Sequence, residues 1–344
     1  MLKAPFPYFG GKSRAAALVW DRFGDVPNYV EPFAGSMAVL LGRPHPPRVE
    51  TVNDIDAMLA NFWRSIAHDP DAVAKWADWP VNESDLHPRH RWLVEQIPGL
   101  REKLEDPEAF DAKIAGWWVW GQCLWIGSGW CQRPDWEGRG HAAGLRGRGI
   151  HGSRRWQGGG RGGGSGVHAP SLTSGQLPHL SGASSSAQRG YQAKWGQEIG
   201  LYEYMRRLSA RLRRVRVCRG DWTRVLTPSV TTYIGVTGVF LDPPYSHDLR
   251  ERCYAEDHDI SADVRAWAIA HGDDPKFRIA LCGYEDEHGD GMPASWSKVA
   301  WKAQGGYSRT EAARENATQE RIWFSPHCLK PEGRLNFEEQ SDAV

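Results

Sequence analysis

The stretch NYVEPFAGSMAVLLGRPHPPRVETVND, residues 28–54, decides the fold. Asn28 to Phe33 (NYVEPF) reads as a short buried strand, stopped by Pro32, which has no N–H to give a ladder. Gly35-Ser36 opens a helix from Met37 to Leu41, and Arg48 to Asn53 (RVETVN) is a second strand. Upstream, Lys12 to Phe23 is predicted helical, because Ala15, Leu18, Val19 and Phe23 fall on one face. Downstream, Ile55 to Ala67 is a helix carrying Leu59, Phe62 and Ile66. Strand and helix alternating at this spacing predict an α/β fold built on a parallel sheet.

The pattern changes at about Pro70. Helical pieces rich in tryptophan run to about Trp130 and include WWVWGQCLW, Trp117 to Trp125. The tryptophans from Trp117 to Trp136 read as the core of an insert rather than a platform for stacking bases. Gly138 to Gly190 is rich in Gly, Ser and Arg and cannot bury enough apolar surface to offset its ordering entropy, so a flexible loop is expected there. It holds no Asp or Glu, but does hold Arg139, Arg146, Arg148, Arg154, Arg155, Arg161 and Arg189. Arg139, Arg146, Arg148, Arg154, Arg155 and Arg161 are candidate phosphate contacts; the plain alternative is a solvated linker.

Regular structure returns with an amphipathic helix, Tyr202 to Val215, and a strand, Val215 to Cys218. Gly238 to Asp242 (GVFLD) is a buried strand, Ala262 to His271 a helix and Phe277 to Cys282 a strand. Lys298 to Lys302 and Glu320 to Phe324 read as a closing pair of strands. The expected organisation is a split α/β domain (1–72 and 201–330), an insert (73–200) with a flexible stretch (138–190), and a tail (331–344).

Composition narrows the classes. Lys+Arg and Asp+Glu both number 42, so only local charge can point to a polyanionic partner. The six cysteines form no C-x-x-C pair, which argues against a zinc cluster and for reduced thiols. No metal is expected. Met1 to Lys12 lacks a signal-peptide core, and no run approaches the ~20 apolar residues of a membrane span, so a cytoplasmic protein is expected.

The sharpest chemical signal is Asp242-Pro243-Pro244-Tyr245 at the end of an apolar strand. Ligands of open α/β sheets sit beyond the carboxyl ends of the strands. Asp242 there can accept one hydrogen of an exocyclic amine and the Pro243 carbonyl the other. Both bonds draw the nitrogen lone pair out of conjugation, and Tyr245 offers a face for a stacked base. The bland alternative is a strand end followed by a proline turn. Gly35, in Glu31-Pro32-Phe33-Ala34-Gly35-Ser36, permits close backbone approach to a ligand, but the turn is not G-x-G-x-x-G and alone is simply tight. Asp54, about 20 residues on, is placed to grip a ribose hydroxyl; helix capping by Asp54 or Asp56 is the alternative, and both can hold. Pro7 to Lys12 (PYFGGK) has the composition of a loop folding over a ligand. Asp221 and Trp222, after the third strand, can accept an adenine amino group and cover its ring, or form a solvent-facing turn.

In this order the motifs PYFGGK (7–12), EPFAGS (31–36), ND (53–54), RLRRVRVCRGDW (211–222) and DPPY (242–245) resemble the Dam-like, D12-class DNA adenine-N6 methyltransferases. The resemblance covers roughly residues 5–70 and 200–325. It implies a Rossmann-like S-adenosylmethionine-dependent methyltransferase sheet interrupted by a target-recognition insert, and methyl transfer to adenine N6 in double-stranded DNA by base flipping. Carried over by position, Tyr8, Gly10, Gly11 and Lys12 form the cofactor-side loop, and Glu31, Phe33, Ala34 and Gly35 the methionine-end turn. Asp54 takes the ribose, Asp221 with Trp222 the cofactor's adenine, and Asp242, Pro243, Pro244 and Tyr245 the target base. Ser36-Met37-Ala38 stands where members often have further glycines. Alternatives are another amine methyltransferase, acting on cytosine N4, an RNA base or a glutamine side chain, and a non-catalytic DNA-binding protein on this fold.

Overall fold

The computed structural model describes residues 2–6, 8, 12–125, 130–131, 200–244, 260–301 and 320–330. Gly10, Gly11, Tyr245, the insert arginines Arg139, Arg146, Arg148, Arg154, Arg155, Arg161 and Arg189, and the tail 331–344 lie outside the described residues.

The strands are β1 (Asn28–Glu31), β2 (Val49–Asp54), β3 (Val215–Arg219), β4 (Thr237–Leu241), β5 (Phe277–Tyr284), β6 (Ser297–Ala300) and β7 (Glu320–Phe324). They form one sheet in the order β3-β2-β1-β4-β5-β7-β6. The first five run parallel, while β7 is antiparallel to both β5 and β6. This is the α/β sheet expected, including its closing pair. Its order reverses between β1 and β4, which opens a crevice at their carboxyl ends.

Side-chain alternation divides the core in two. Tyr29, Phe240, Ala280, Cys282, Ile322 and Phe324 face one side, and Val30, Val239, Leu241, Ile279, Leu281 and Trp323 the other. The first face is covered by α1 (Ala15–Phe23), α2 (Ala38–Leu41), α3 (Ala57–His68), α4 (Pro70–Ala77), α5 (Glu83–Lys103), α6 (Ala112–Leu124) and α7 (Leu201–Leu212). The second is covered by α8 (Ile260–Gly272), through Val264 and Ala268. Each large apolar side chain fully buried here contributes about 1.5–3 kcal/mol.

Local sequence explains these helices. Asp56 caps α3, accepting from Met58 N (2.7 Å), and Leu59, Phe62, Trp63 and Ile66 recur at helical spacing on its buried face. In α7, Leu201, Tyr204, Met205, Leu208 and Leu212 do the same. The expected junction at 72/73 falls inside α4, whose Pro70 occupies the first turn under an Asp69 cap. Helices α4 to α6 share the core of the first face with α1, α3 and α7. Trp118 and Trp120 are buried in it, and the guanidinium of Arg89 lies 4.5–4.7 Å from the rings of Trp79, Trp117 and Trp120.

Near the amino end of β2, Glu50 is fully buried. It accepts from Arg43 (3.2 Å) and from both terminal nitrogens of Arg211 (2.7 and 2.9 Å). These bonds tie α7 and the chain after α2 to the strand. Among the described residues no helix is long and apolar enough to cross a membrane.

Candidate active site

Three strand ends define the site. At the end of β1, Pro32 halts the ladder and the chain turns through Phe33, Ala34 and Gly35. Gly35 has φ +45°, a region that favours glycine, and a Cβ there would stand 2.5 Å from the Tyr8 ring. Tyr8 and Gly35, singled out in separate motifs, therefore meet.

At the end of β2, Asp54 and Asp56 separate in role. Asp56 caps α3, whereas Asp54 accepts from Gly35 N and Asp56 N, both at 3.0 Å. Asp54 thus braces the β1 turn. Burial raises its pKa to about 6, with the neighbouring Asp56 charge adding to the rise. The neighbouring Asn53 donates to Pro32 O (3.1 Å) and Gly220 O (2.9 Å), joining the loops after β1 and β3. Its Oδ1 is buried without a hydrogen-bond partner, and Asn53 lines a crevice with Ala34, Met37, Asp54 and Cys218. In the sequence Asn53 stands out only as Asp54's neighbour.

After β3, Asp221 is exposed and caps a short 3-10 helix, Trp222–Val225, accepting from Thr223 N at 2.9 Å and from the Thr223 hydroxyl. The turn that was the alternative reading is present. Trp222 packs near Phe33, ring centroids 6.1 Å apart, so two residues assigned to the cofactor side form one aromatic wall.

The densest chemistry lies where β4 ends. Leu241 pairs with Leu281 of β5, and Asp242 follows, with Pro243 and Pro244 behind it. Lys12, from the loop before α1, reaches under the sheet ends. Its Nζ lies 3.2 Å from Asp242 Oδ1, 3.6 Å from Glu320 Oε2 and 5.0 Å from the Trp301 ring centre. Burial alone would lower the Lys12 pKa; Asp242, Cys282 and Glu320 outweigh it and hold the ammonium above its usual value. Lys12, expected on the cofactor side, thus contacts the catalytic candidate Asp242 directly. Glu320, the first residue of β7, carried no signal beyond its place in a strand.

Glu31, the last residue of β1, is buried and accepts from the Tyr29 hydroxyl at 3.0 Å. Burial lifts its pKa to about 8. The Tyr29 bond opposes the rise and the Asp242 charge adds to it. At neutral pH Glu31 is therefore mainly the neutral acid, and the floor of the crevice carries an ammonium between two carboxylates.

Sheet order, switch-point crevice, acid at the end of β2 and Asp-Pro-Pro at the end of β4 together define a Rossmann-like methyltransferase fold. A family model described as D12 class N6 adenine-specific DNA methyltransferase matches residues 8–90. The match supports the Dam-like reading of the motifs and, in general terms, methylation of adenine N6 in DNA. It takes in Tyr8, Lys12, the β1 turn and Asp54; the turn after β4 and strand β7 lie beyond it. No curated protein matches the chain.

Proposed function

We propose that the protein methylates N6 of adenine in double-stranded DNA, using S-adenosylmethionine, with the target base turned out of the duplex. The observation that carries the reading is Asp242 at the carboxyl end of β4, beside the switch point, followed by two prolines and anchored on one oxygen by Lys12. Asp242 accepts one hydrogen of the amine and the Pro243 carbonyl the other, leaving the nitrogen lone pair aimed at the methyl. Pro243 and Pro244 keep that acceptor rigid, since proline fixes φ. Tyr245 stacks on the base.

S-adenosylmethionine supplies a methyl group on a sulfonium. Bound there it would leave as the neutral thioether while N6 takes the methyl, and Asp242, which holds an N6 hydrogen, would receive the proton that N6 gives up. The brace of Asp54 on Gly35 and the Phe33–Trp222 wall support a nucleoside-bearing ligand at the carboxyl ends of β1 to β3. Asp54 takes the ribose hydroxyls, Glu31 and Gly35 lie at the methionine end, and Asp221 meets the adenine of the ligand. Positioning in a dry cleft supplies most of the acceleration. The arginines of 139–161 add phosphate contacts that weaken with salt.

The test uses labelled S-adenosylmethionine, unmethylated duplex DNA, digestion to nucleosides and mass analysis. N6-methyladenine is expected from the native chain and not from Asp242→Ala, whose cofactor affinity stays near native. Methyl on cytosine N4 overturns the assigned base, and no transfer to DNA overturns the substrate. Equal loss of binding and transfer in Asp242→Ala overturns the role of Asp242.

A further inference from the structure

We propose that the residues just ahead of the PYFGGK motif form a strap through which the insert holds the cofactor turn, with Phe6 as its positioning residue: Phe6 fixes the Tyr8 ring against Gly35. The inference rests on the cofactor reading of the β1 turn given above. It adds a residue that lies outside every motif and outside the span 8–90 matched by the family model.

The strap is traced by its contacts. Lys3 O accepts from the Tyr204 hydroxyl of α7 at 2.6 Å, and Pro5 O from the Cys123 thiol of α6 at 3.7 Å. Phe6 follows and is 2% exposed. Its ring centre lies 4.9 Å from that of Trp118 on α6, edge to face, and 5.5 and 5.9 Å from those of Phe62 and Trp63 on α3. Tyr8 stands 6.1 Å from Phe6, again edge to face. The Tyr8 ring in turn occupies the space that a Gly35 side chain would need: a Cβ there would meet Cδ1 at 2.5 Å and Cε1 at 2.7 Å. Gly35 N donates to Asp54 Oδ2 at 3.0 Å. One line of contacts thus runs from α6 of the insert through Phe6 and Tyr8 to the turn and its brace.

Packing physics makes this line a positioning device. Gly35 has φ +45° and no side chain, so the Tyr8 ring bears directly on the backbone of the turn. Dispersion contact of that kind fades over about an ångström of separation. Tyr8 is half-buried, whereas Phe6 beside it is locked in the core of the first face. Edge-to-face pairs fix ring angle as well as distance, and a close-packed interior passes a shift on rather than absorbing it. A smaller side chain at position 6 therefore loosens Tyr8, and through it the turn, without touching the ligand. A change at Trp118, on the insert, acts along the same line.

The experiment measures binding of S-adenosylmethionine to the full-length chain by calorimetry, with thermal unfolding of each variant alongside. Phe6→Leu is expected to weaken binding by about tenfold, the scale of coupling between linked sites. Trp118→Leu should do the same, and the double variant should fall well short of additive, because both changes act through one line of contacts. Phe277→Leu is the control. That ring is 3% exposed and packs in the second core cluster against Trp267 of α8. The control should lose a comparable amount of Tm and keep its affinity within about twofold of native, as expected of a distant site. Native affinity in Phe6→Leu overturns the strap. Equal weakening in Phe277→Leu, or full additivity of Phe6→Leu and Trp118→Leu, overturns it as well. Should either strap variant fail to fold, Tyr204→Phe carries the test, since it removes the bond to Lys3 O with little change of volume. Weakening by about threefold there supports the proposal, and native affinity refutes it. A native chain that binds no S-adenosylmethionine sinks the cofactor reading and the strap together; native binding that Phe6→Leu leaves unchanged sinks the strap alone.

Discussion

Glu31 makes the stability of the protein depend on pH in a way that can be isolated. Its carboxyl is buried on β1 and its pKa rises from 4.5 to about 8 on folding, chiefly by desolvation. A group whose folded pKa is raised stabilises fully below the unfolded value and loses that contribution as pH climbs through the folded one. The window here runs from 4.5 to about 8. The full span is worth about 5 kcal/mol at 1.36 kcal/mol per unit, and the interval from pH 6 to 7.5 about 2 kcal/mol. Glu31→Gln mimics the protonated acid and still accepts from the Tyr29 hydroxyl, but cannot ionise. Urea unfolding of both proteins at the two pH values gives a double difference in which all other titrating groups cancel. The native protein should lose about 2 kcal/mol more than the variant between pH 6 and 7.5. Parallel losses in the two proteins would refute the buried, neutral Glu31 and with it the charge count of the crevice floor.

Three further outcomes follow from the same geometry. Gly35→Ala forces a side chain into a left-handed conformation and against the Tyr8 ring; it should cost about 1–3 kcal/mol by denaturant unfolding and weaken labelled-cofactor binding, and native binding would detach the turn from the ligand. Arg211→Met leaves the buried Glu50 with Arg43 as its remaining guanidinium; a loss of about 3–5 kcal/mol is expected, with the transfer rate of the folded protein unchanged, and a loss under about 1 kcal/mol would show Glu50 well satisfied without α7. Binding of a sulfonium beside Glu31 should lower the raised pKa of that acid and release a few tenths of a proton at pH 8, read by calorimetry in buffers of different ionisation heat; zero release would remove Glu31 from the methionine end.

The sheet was legible in the sequence because buried strands and their stops write themselves locally. NYVEPF and GVFLD are apolar runs ended by proline, and α3 and α7 keep helical periodicity, so order and type followed. Roles at strand ends were less legible. Asp54 and Asp56 have the same capping propensity, and only the fold puts Gly35 N against one and the first turn of α3 against the other. Lys12 illustrates the limit more sharply. Its motif placed it in a loop near a ligand, yet its partners come from the ends of β4 and β7, and no local pattern reports a pairing between opposite ends of the chain. Glu320 was visible as the start of a strand; its value depends on β7 running antiparallel beside β5, a property of the assembled sheet.

That antiparallel strand changes what the crevice can do. In a fully parallel sheet every strand would deliver its carboxyl end to the cleft. β7 instead delivers its amino end, and with it the Glu320 carboxylate, to the level of Lys12. With Glu31 neutral, one ammonium and two carboxylates leave a single negative charge beneath the site. On the proposed reaction the positive charge begins on sulfur and moves to the nitrogen held by Asp242. A fixed anion on that side favours the charge where it arrives and needs no reorganisation as it moves. An ionised Glu31 would add a second negative charge at the methionine end proposed for the ligand, favouring the charge where it starts. On the proposed reaction, desolvation of Glu31 works in the same direction as the Lys12–Glu320 pair: both would weight the field of the cleft toward the transferred state rather than the bound one.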